Sequence, residues 1–258
     1  MGRMNRFMRN GRSIIIAYDQ GIEHGPTDFD GRNVDPKFVI DIANKGGFDA
    51  FACQKGIAEK YHEMIEIPLL IKLNAKTNIY GKEPVAKQLC SVDYASRLGA
   101  AAVGYTIYIG SEFEADMVQE FGKIEEEAHD AGLAVVLWVY PRGEYVKDDT
   151  ARDMVAYAAR AALEFGADAA KVKYTGDKES FSWVVKSAGN VPVYMAGGKK
   201  TKNESEFLTH VSGALDAGAA GIAVGRNVWQ SSDPLRTAKV LNELIIDRKS
   251  PEKVTKTA

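Results

Sequence analysis

The sequence predicts a closed barrel of eight parallel strands, each followed by a helix, forming one α/β domain over residues 1–258. Three observations carry this expectation. Short apolar or β-branched runs alternate with helix-length amphipathic segments about eight times, the number that closes a parallel barrel. Several helices end in the same phrase before the next strand, L-G-A from Leu98, F-G-A from Phe165 and A-G-A from Ala217, where glycine supplies the left-handed cap that turns the chain back into the sheet. The first strand is not followed by the G-x-G-x-x-G fingerprint of a doubly wound open sheet, the structural rival.

Taken in order, Ser13 to Tyr18 is the first strand, and it opens at Asp19 into the loop D-Q-G-I-E-H-G-P. Asp35 caps a helix whose first position is Pro36 and which runs to about Lys45. Phe48 to Cys53 is the second strand, followed by Q-K-G and a helix through Tyr61 to Ile65. Pro68 to Leu73 is the third strand and Val85 to Leu98 its helix; Ala101 to Ile109 is the fourth, with a long acidic-faced helix from Glu112 to Ala131. Ala134 to Val139 runs into Y-P-R-G, and an alanine-rich helix spans Thr150 to Phe165. The sixth strand lies within Asp168 to Asp177, before a helix from Glu179 to Ala188. Val191 to Ala196 and Gly221 to Val224 are the last strands, with helices from Glu204 to Ala217 and Pro234 to Ile246. No low-complexity linker divides the chain. Residues 1–12, with Arg3, Arg6, Arg9 and Arg12, form either a mobile arm or a cap over the barrel bottom, and residues 247–258 read as a frayed charged tail.

Composition narrows the function classes. Hydrophobic residues make up 45% and charged residues 26%, enough apolar material for a large core. A formal net charge of -2 argues against nucleic-acid or anionic-membrane partners bound by bulk electrostatics. Cys53 and Cys90 stand far apart in no metal-like spacing, and no apolar stretch suits a signal peptide or membrane span, so a cytoplasmic protein is expected.

Chemistry is concentrated in the sixth strand. Because strand residues alternate faces, Lys171 and Lys173 point the same way, and in a parallel sheet covered by helices that face is an interior. Burial beside a second cation drives an amine toward neutrality and makes it a nucleophile. Lys171 lies earlier in the strand and deeper; Lys173, nearer solvent, is the expected cation that holds its neighbour neutral. The alternative is that one or both lysines snorkel to the barrel mouth and bind solvent or an anion.

Barrel enzymes work at the C-terminal ends of their strands. There this chain places Asp19, His24, Lys72, Trp138, Tyr140, Arg142, Lys171, Lys173, Gly197-Gly198-Lys199 and Gly225-Arg226. Taken singly, Asp19 is equally a loop cap, Lys72 a rim charge, and Trp138 and Tyr140 core aromatics. The glycines after the last two strands let backbone N–H groups approach a phosphate, with Arg226 as a bidentate donor; otherwise they are only turn residues. Of the four histidines, His62, His129 and His210 fall in predicted helices, so no trio with His24 forms a zinc site, and aldol chemistry here would need the lysine.

The phrases A-Y-D-Q-G-I-E-H-G-P at Ala17 to Pro26, W-V-Y-P-R-G at Trp138 to Gly143, K-V-K-Y-T-G-D at Lys171 to Asp177 and A-G-G at Ala196 to Gly198 resemble the archaeal-type class I fructose-bisphosphate aldolases. The resemblance spans nearly the whole chain in the right order. It implies a (β/α)8 barrel that cleaves fructose 1,6-bisphosphate reversibly to dihydroxyacetone phosphate and glyceraldehyde 3-phosphate, with no metal or other cofactor, as a homo-oligomer. It further implies Lys171 as the Schiff-base lysine, Tyr140 as the catalytic tyrosine and Asp19 as the strand-one aspartate. Trp138 would line the sugar pocket, Arg142 would meet the distal phosphate, and Gly197, Gly198, Gly225 and Arg226 would form the phosphate loops. His24, Lys72 and Lys173 complete the expected substrate-facing set. The glutamate that assists dehydration in relatives has Glu179 as its nearest counterpart. The runner-up is a sister Schiff-base synthase of archaeal aromatic amino-acid biosynthesis, and beyond it a non-catalytic sugar-phosphate sensor.

Overall fold

The computed structural model describes residues 2–79, 81–251 and 253–254. Its eight barrel strands are β1 (Ser13–Ala17), β2 (Ala50–Gln54), β3 (Leu69–Lys72), β4 (Ala102–Ile109), β5 (Ala134–Pro141), β6 (Ala169–Val172), β7 (Val193–Ala196) and β8 (Gly221–Val224). All pair in parallel, in the closed order β1-β8-β7-β6-β5-β4-β3-β2, with helices between them. Strand alternation sorts the apolar side chains into two shells. Ile14 and Ile16 face outward into the layer shared with the helices, whereas Ile15, Ala17, Ala50, Ala52, Ala102, Ala134 and Ala169 face the barrel interior.

The helix signals are realised locally. Asp35, Ser91, Asp177, Asn203 and Asp233 each accept a backbone N–H two or three residues on, capping the helix that follows. Gly99, Gly166 and Gly218, the glycines of the repeated phrase, sit at φ +76°, +84° and +103°. Any other residue would be strained there.

Interior alanines leave the bottom of the barrel underfilled, and the N-terminal segment fills it. A short 3₁₀ helix, Arg3–Phe7, buries Met4 and Phe7 against the interior shell. The four arginines then hold it from outside: Arg3 lies 3.6 Å from Asp168, Arg6 donates to the Gly132 carbonyl, Arg9 to Asp49, and Arg12 to the Ile245 carbonyl. Residues 2–12 therefore pack as a cap and not as a mobile arm; residue 1 lies outside the described residues.

Two expectations are corrected. The helix expected over Val85 to Leu98 is only Val92–Arg97; before it Lys87–Gln88 pairs antiparallel with Asn74–Ala75. The Asn74 side chain donates to the carbonyls of Ala86 and Thr106, and Leu89 and Cys90 both donate to the Leu73 carbonyl. Those backbone groups are spent on the hairpin, and Ser91 restarts the chain as a helix cap. The tail is docked rather than frayed as far as Val254, which is buried; residues 252 and 255–258 of the expected tail lie outside the described residues.

Candidate active site

The C-terminal ends of the strands surround a pocket of about 530 Å³ that reaches from the β1 loop to the loops after β7 and β8. Every site residue expected from the sequence lines it: Asp19, His24, Lys72, Trp138, Tyr140, Arg142, Lys171, Lys173, Gly197, Gly198, Gly225 and Arg226. Parallel pairing sets the depth of each. Lys171 on β6 stands level with Trp138 on β5 and Tyr194 on β7, and Lys72 on β3 is level with Gly104 on β4.

Gly104 makes the central arrangement possible. A Cβ at that position would lie 2.3 Å from the Trp138 ring, so only glycine lets the indole lie across the interior. The ring then has two lysines close to it, with Lys171 Nζ 4.7 Å and Lys72 Nζ 5.4 Å from its centroid. Both ammonium groups are buried, and Lys72 Nζ is 4.0 Å from Asp19 Oδ2. Desolvation is the main force on Lys171. Lys72 and Arg226 push in the same direction, Asp19 and Glu23 oppose them, and the result is a pKa lowered to about 8. Lys72 is also lowered by burial, against the pull of Asp19 and Glu23. An amine near 8 is about one-tenth neutral at pH 7, several hundred times more than an unperturbed lysine.

The neighbour that helps hold Lys171 neutral is thus Lys72, with Arg226, and not Lys173. β6 ends at Val172, and Lys173, one residue past it, turns aside into an ion pair with Asp149. Strand alternation no longer governs a residue outside the strand.

Tyr140, next to last in β5, lies among anions. Burial, then the charges of Asp19 and Glu23, raise its pKa well above the usual tyrosine value, with Arg142 in partial opposition. It is held as a phenol. Arg142 is engaged by a residue that was not singled out in the sequence, Glu23 of the β1 loop, whose Oε1 accepts from Arg142 Nη1 at 3.2 Å and lies 3.4 Å from Lys76 Nζ. Burial pushes the Glu23 carboxyl up, but Lys76, Arg142, His24 and Lys72 together bring it below its ordinary value. Among the described residues, the Trp138 indole N–H and the Gln54 Oε1 acceptor, both on the pocket wall, have no hydrogen-bond partner.

At the opposite end Arg226 Nη1 donates to Asp28 Oδ2 at 3.1 Å. Gly225 is glycine because a Cβ would lie 2.6 Å from the Ala17 carbonyl oxygen, and Gly197 because a Cβ would meet Val224 at 2.9 Å. Gly198 is different: its φ is +65° and a Cβ there would meet nothing within 4 Å. Packing thus accounts for two of the three loop glycines, and the turn for the third.

Two further expectations change. Glu179 lies outside the mouth, exposed on the first turn of the helix Lys178–Ser187, near Arg152 and Trp183. The carboxylates that do face the pocket are Asp19 and Glu23. His210, placed on a helix as expected, nevertheless reaches the pocket wall beside Tyr174. Among the described residues no three His, Cys, Asp or Glu side chains come together in a way that could hold a metal ion, and no helix is long and apolar enough to cross a membrane.

A barrel whose mouth holds a desolvated, partly neutral lysine between cations and a phenol defines the class of the protein: an enzyme suited to imine chemistry on an anionic carbonyl compound. The chain belongs to the DeoC/LacD family of aldolases, whose profile matches residues 13–231. It is 55% identical over 241 residues to a Thermoproteus tenax protein named fructose-bisphosphate aldolase class 1, covering 93% of this chain and 91% of that one. It is 46% identical to a Halobacterium salinarum protein of the same name, covering 94% and 93%. Among solved structures, it superposes with a TM-score of 0.92 and 53% identity, over 95% of this chain and 98% of the other, on an archaeal fructose-1,6-bisphosphate aldolase whose catalytic lysine is covalently bound to the carbinolamine intermediate of the substrate.

Proposed function

We propose that this protein is a class I fructose-bisphosphate aldolase, cleaving fructose 1,6-bisphosphate reversibly to dihydroxyacetone phosphate and glyceraldehyde 3-phosphate through a Schiff base on Lys171. The observation that carries this is the depressed, buried amine of Lys171 in a pocket with arginines at both ends. Its neutral form attacks the substrate ketone to give a carbinolamine, and loss of water leaves an iminium that accepts the electron pair of the breaking carbon–carbon bond. Tyr140, held as a phenol, supplies or relays the proton at that centre, and Asp19, whose charge acts on both Lys171 and Tyr140, orients substrate hydroxyls. Arg142 with Lys76 meets the distal phosphate, and Arg226 with the Gly197-Gly198 and Gly225 loops the proximal one. Lys72 takes part as the cation beside Lys171, while Trp138, His24 and Lys173 line the sugar. This reading places the protein in the cytoplasm as a homo-oligomer working in glycolysis and gluconeogenesis; its two cysteines, buried and unpaired, suit a reducing compartment.

The test is product formation from fructose 1,6-bisphosphate with and without EDTA, together with borohydride reduction in the presence of dihydroxyacetone phosphate. Turnover should persist with the chelator, and mass spectrometry should place the reduced adduct on the Lys171 peptide. Activity lost to EDTA and restored by zinc, or an adduct on Lys173, would refute the proposal.

A further inference from the structure

The loop after β1 brings a carboxylate to the cations at each end of the pocket, Glu23 to Lys76 and Arg142, and Asp28 to Arg226. The backbone of this loop is held by other bonds. Asn78 N donates to the Glu23 carbonyl at 3.0 Å, and Gln230 Nε2 to the Asp28 carbonyl at 2.7 Å. The Glu23 side chain is therefore not needed to shape the loop. Its carboxylate sits instead on two cations that flank the Tyr108 ring, Arg142 at 5.2 Å and Lys76 at 5.8 Å from the centroid.

Charge counting shows what this placement does. Lys76 and Arg142 bring two positive charges and Glu23 one negative, so the cluster is one charge short of neutral when the pocket holds no substrate. A phosphate monoester near neutral pH brings about two negative charges. With Glu23 still in contact the cluster would carry one negative charge in excess; with Glu23 withdrawn, the charges match. The carboxylate and the phosphate are alternatives.

We propose that Glu23 is a tethered competitor for the distal phosphate: it offsets one of the two charges of the Lys76–Arg142 pair when no phosphate is bound there, and by returning it weakens the hold on whatever phosphate-bearing ligand is there. This rests on the aldolase reading above, in which the distal phosphate leaves on the aldehyde product. Once the carbon–carbon bond is broken, that fragment is no longer joined to the Lys171 adduct and is held mainly by this cation pair. Binding a ground state tightly raises no rate, and product departure often limits turnover. Glu23 would keep the fragment from lingering.

Glu23→Gln keeps the side-chain volume and the loop's backbone bonds while removing the competing charge. In that variant the inhibition constant of glyceraldehyde 3-phosphate and the KM for fructose 1,6-bisphosphate should both fall about tenfold, equal to ~1.4 kcal/mol. The affinity for dihydroxyacetone phosphate, which carries only the proximal phosphate, should stay within about twofold, the size of an effect that leaves its contacts intact. Glu23→Asp should lie between wild type and Glu23→Gln. Constants for the aldehyde that rise or stay put, or a dihydroxyacetone phosphate affinity that moves in step with them, would overturn the proposal, the last by marking Glu23 as a structural prop. The two readings fail separately. If no borohydride adduct forms, the aldolase reading has failed; calorimetric titration of inorganic phosphate then still tests Glu23, with about tenfold tighter binding in Glu23→Gln upholding the competition and unchanged binding refuting it.

Discussion

Replacing Lys72 by Met tests whether a second buried cation tunes the nucleophile. Their distances to the Trp138 centroid, 5.4 and 4.7 Å, place the two ammonium groups no more than about 10 Å apart. At an effective dielectric of about 20, two unit charges at that separation repel by ~1.7 kcal/mol, or about 1.2 pKa units, and any closer approach increases the effect. Lys72 also neutralises part of Asp19, 4.0 Å away, so its removal lets Asp19 act more strongly on Lys171. Both changes have the same sign. The Lys171 pKa should rise from about 8 to about 9 or above, and the neutral amine at pH 7 should fall about tenfold or more. The assay is the pH dependence of kcat/KM, with the rate of borohydride trapping by dihydroxyacetone phosphate followed in parallel. Lys72→Met should lose activity at pH 7 and recover most of it by about pH 9–10, where the shifted amine deprotonates, and Lys72→Arg should keep the wild-type profile. A loss that is the same at every pH would show that Lys72 acts as a ligand or a packing element, and would refute the electrostatic argument.

Other expectations follow from the same site. Lys171→Met should form no adduct and turn over nothing, yet be more stable than wild type. The folded-state pKa of about 8 lies below the ordinary lysine value of 10.5. Burying the amine therefore costs nothing above about pH 10.5, costs progressively more as the pH falls, and reaches ~3 kcal/mol near pH 7. Denaturant unfolding should show the variant's advantage at pH 7 and its decline toward pH 10; equal stabilities at pH 7 would mean that Lys171 is not desolvated as described. Gly104→Ala should act through the indole: a Cβ 2.3 Å from the Trp138 ring must displace it, at a cost of ~1–3 kcal/mol for overpacking. A lower Tm with slower adduct formation is expected, and an unchanged Tm would show that the ring can yield freely.

Those residues also show how much could be read from the chain alone. The barrel was legible because its signals are local: β-branched runs, capping residues and a glycine closing each repeated helix end. So was the inward direction of Lys171, since Ala169 before it points the same way and Ala170 and Val172 do not. The identity of its neighbour was not. Lys72 is ninety-nine positions earlier, and only the barrel brings the ends of β3 and β6 to one indole. Lys173 looked like that neighbour because alternation was carried one residue past the end of the strand. Glu23 was within the quoted motif but had no role there, because its partners Lys76 and Arg142 come from the loops after β3 and β5. Asn74 was hidden for the same reason: its buried amide spends its donors and acceptor on Ala86 and Thr106, twelve and thirty-two positions away.

The ring closes where β1 meets β8, Ser13 opposite Gly221. In a growing polypeptide these strands emerge far apart in time, so Ile14, Ile15 and Ile16 wait with one edge unpaired until almost the whole chain has been made. Such an edge is a template for wrong partners, and late long-range pairing is slow. The same seam carries Asp19 on one side and Arg226 on the other. An incomplete nascent chain can therefore have Lys171, Lys72 and Asp19 in hand and still lack Arg226, and the mouth is complete only once the last strand is laid down.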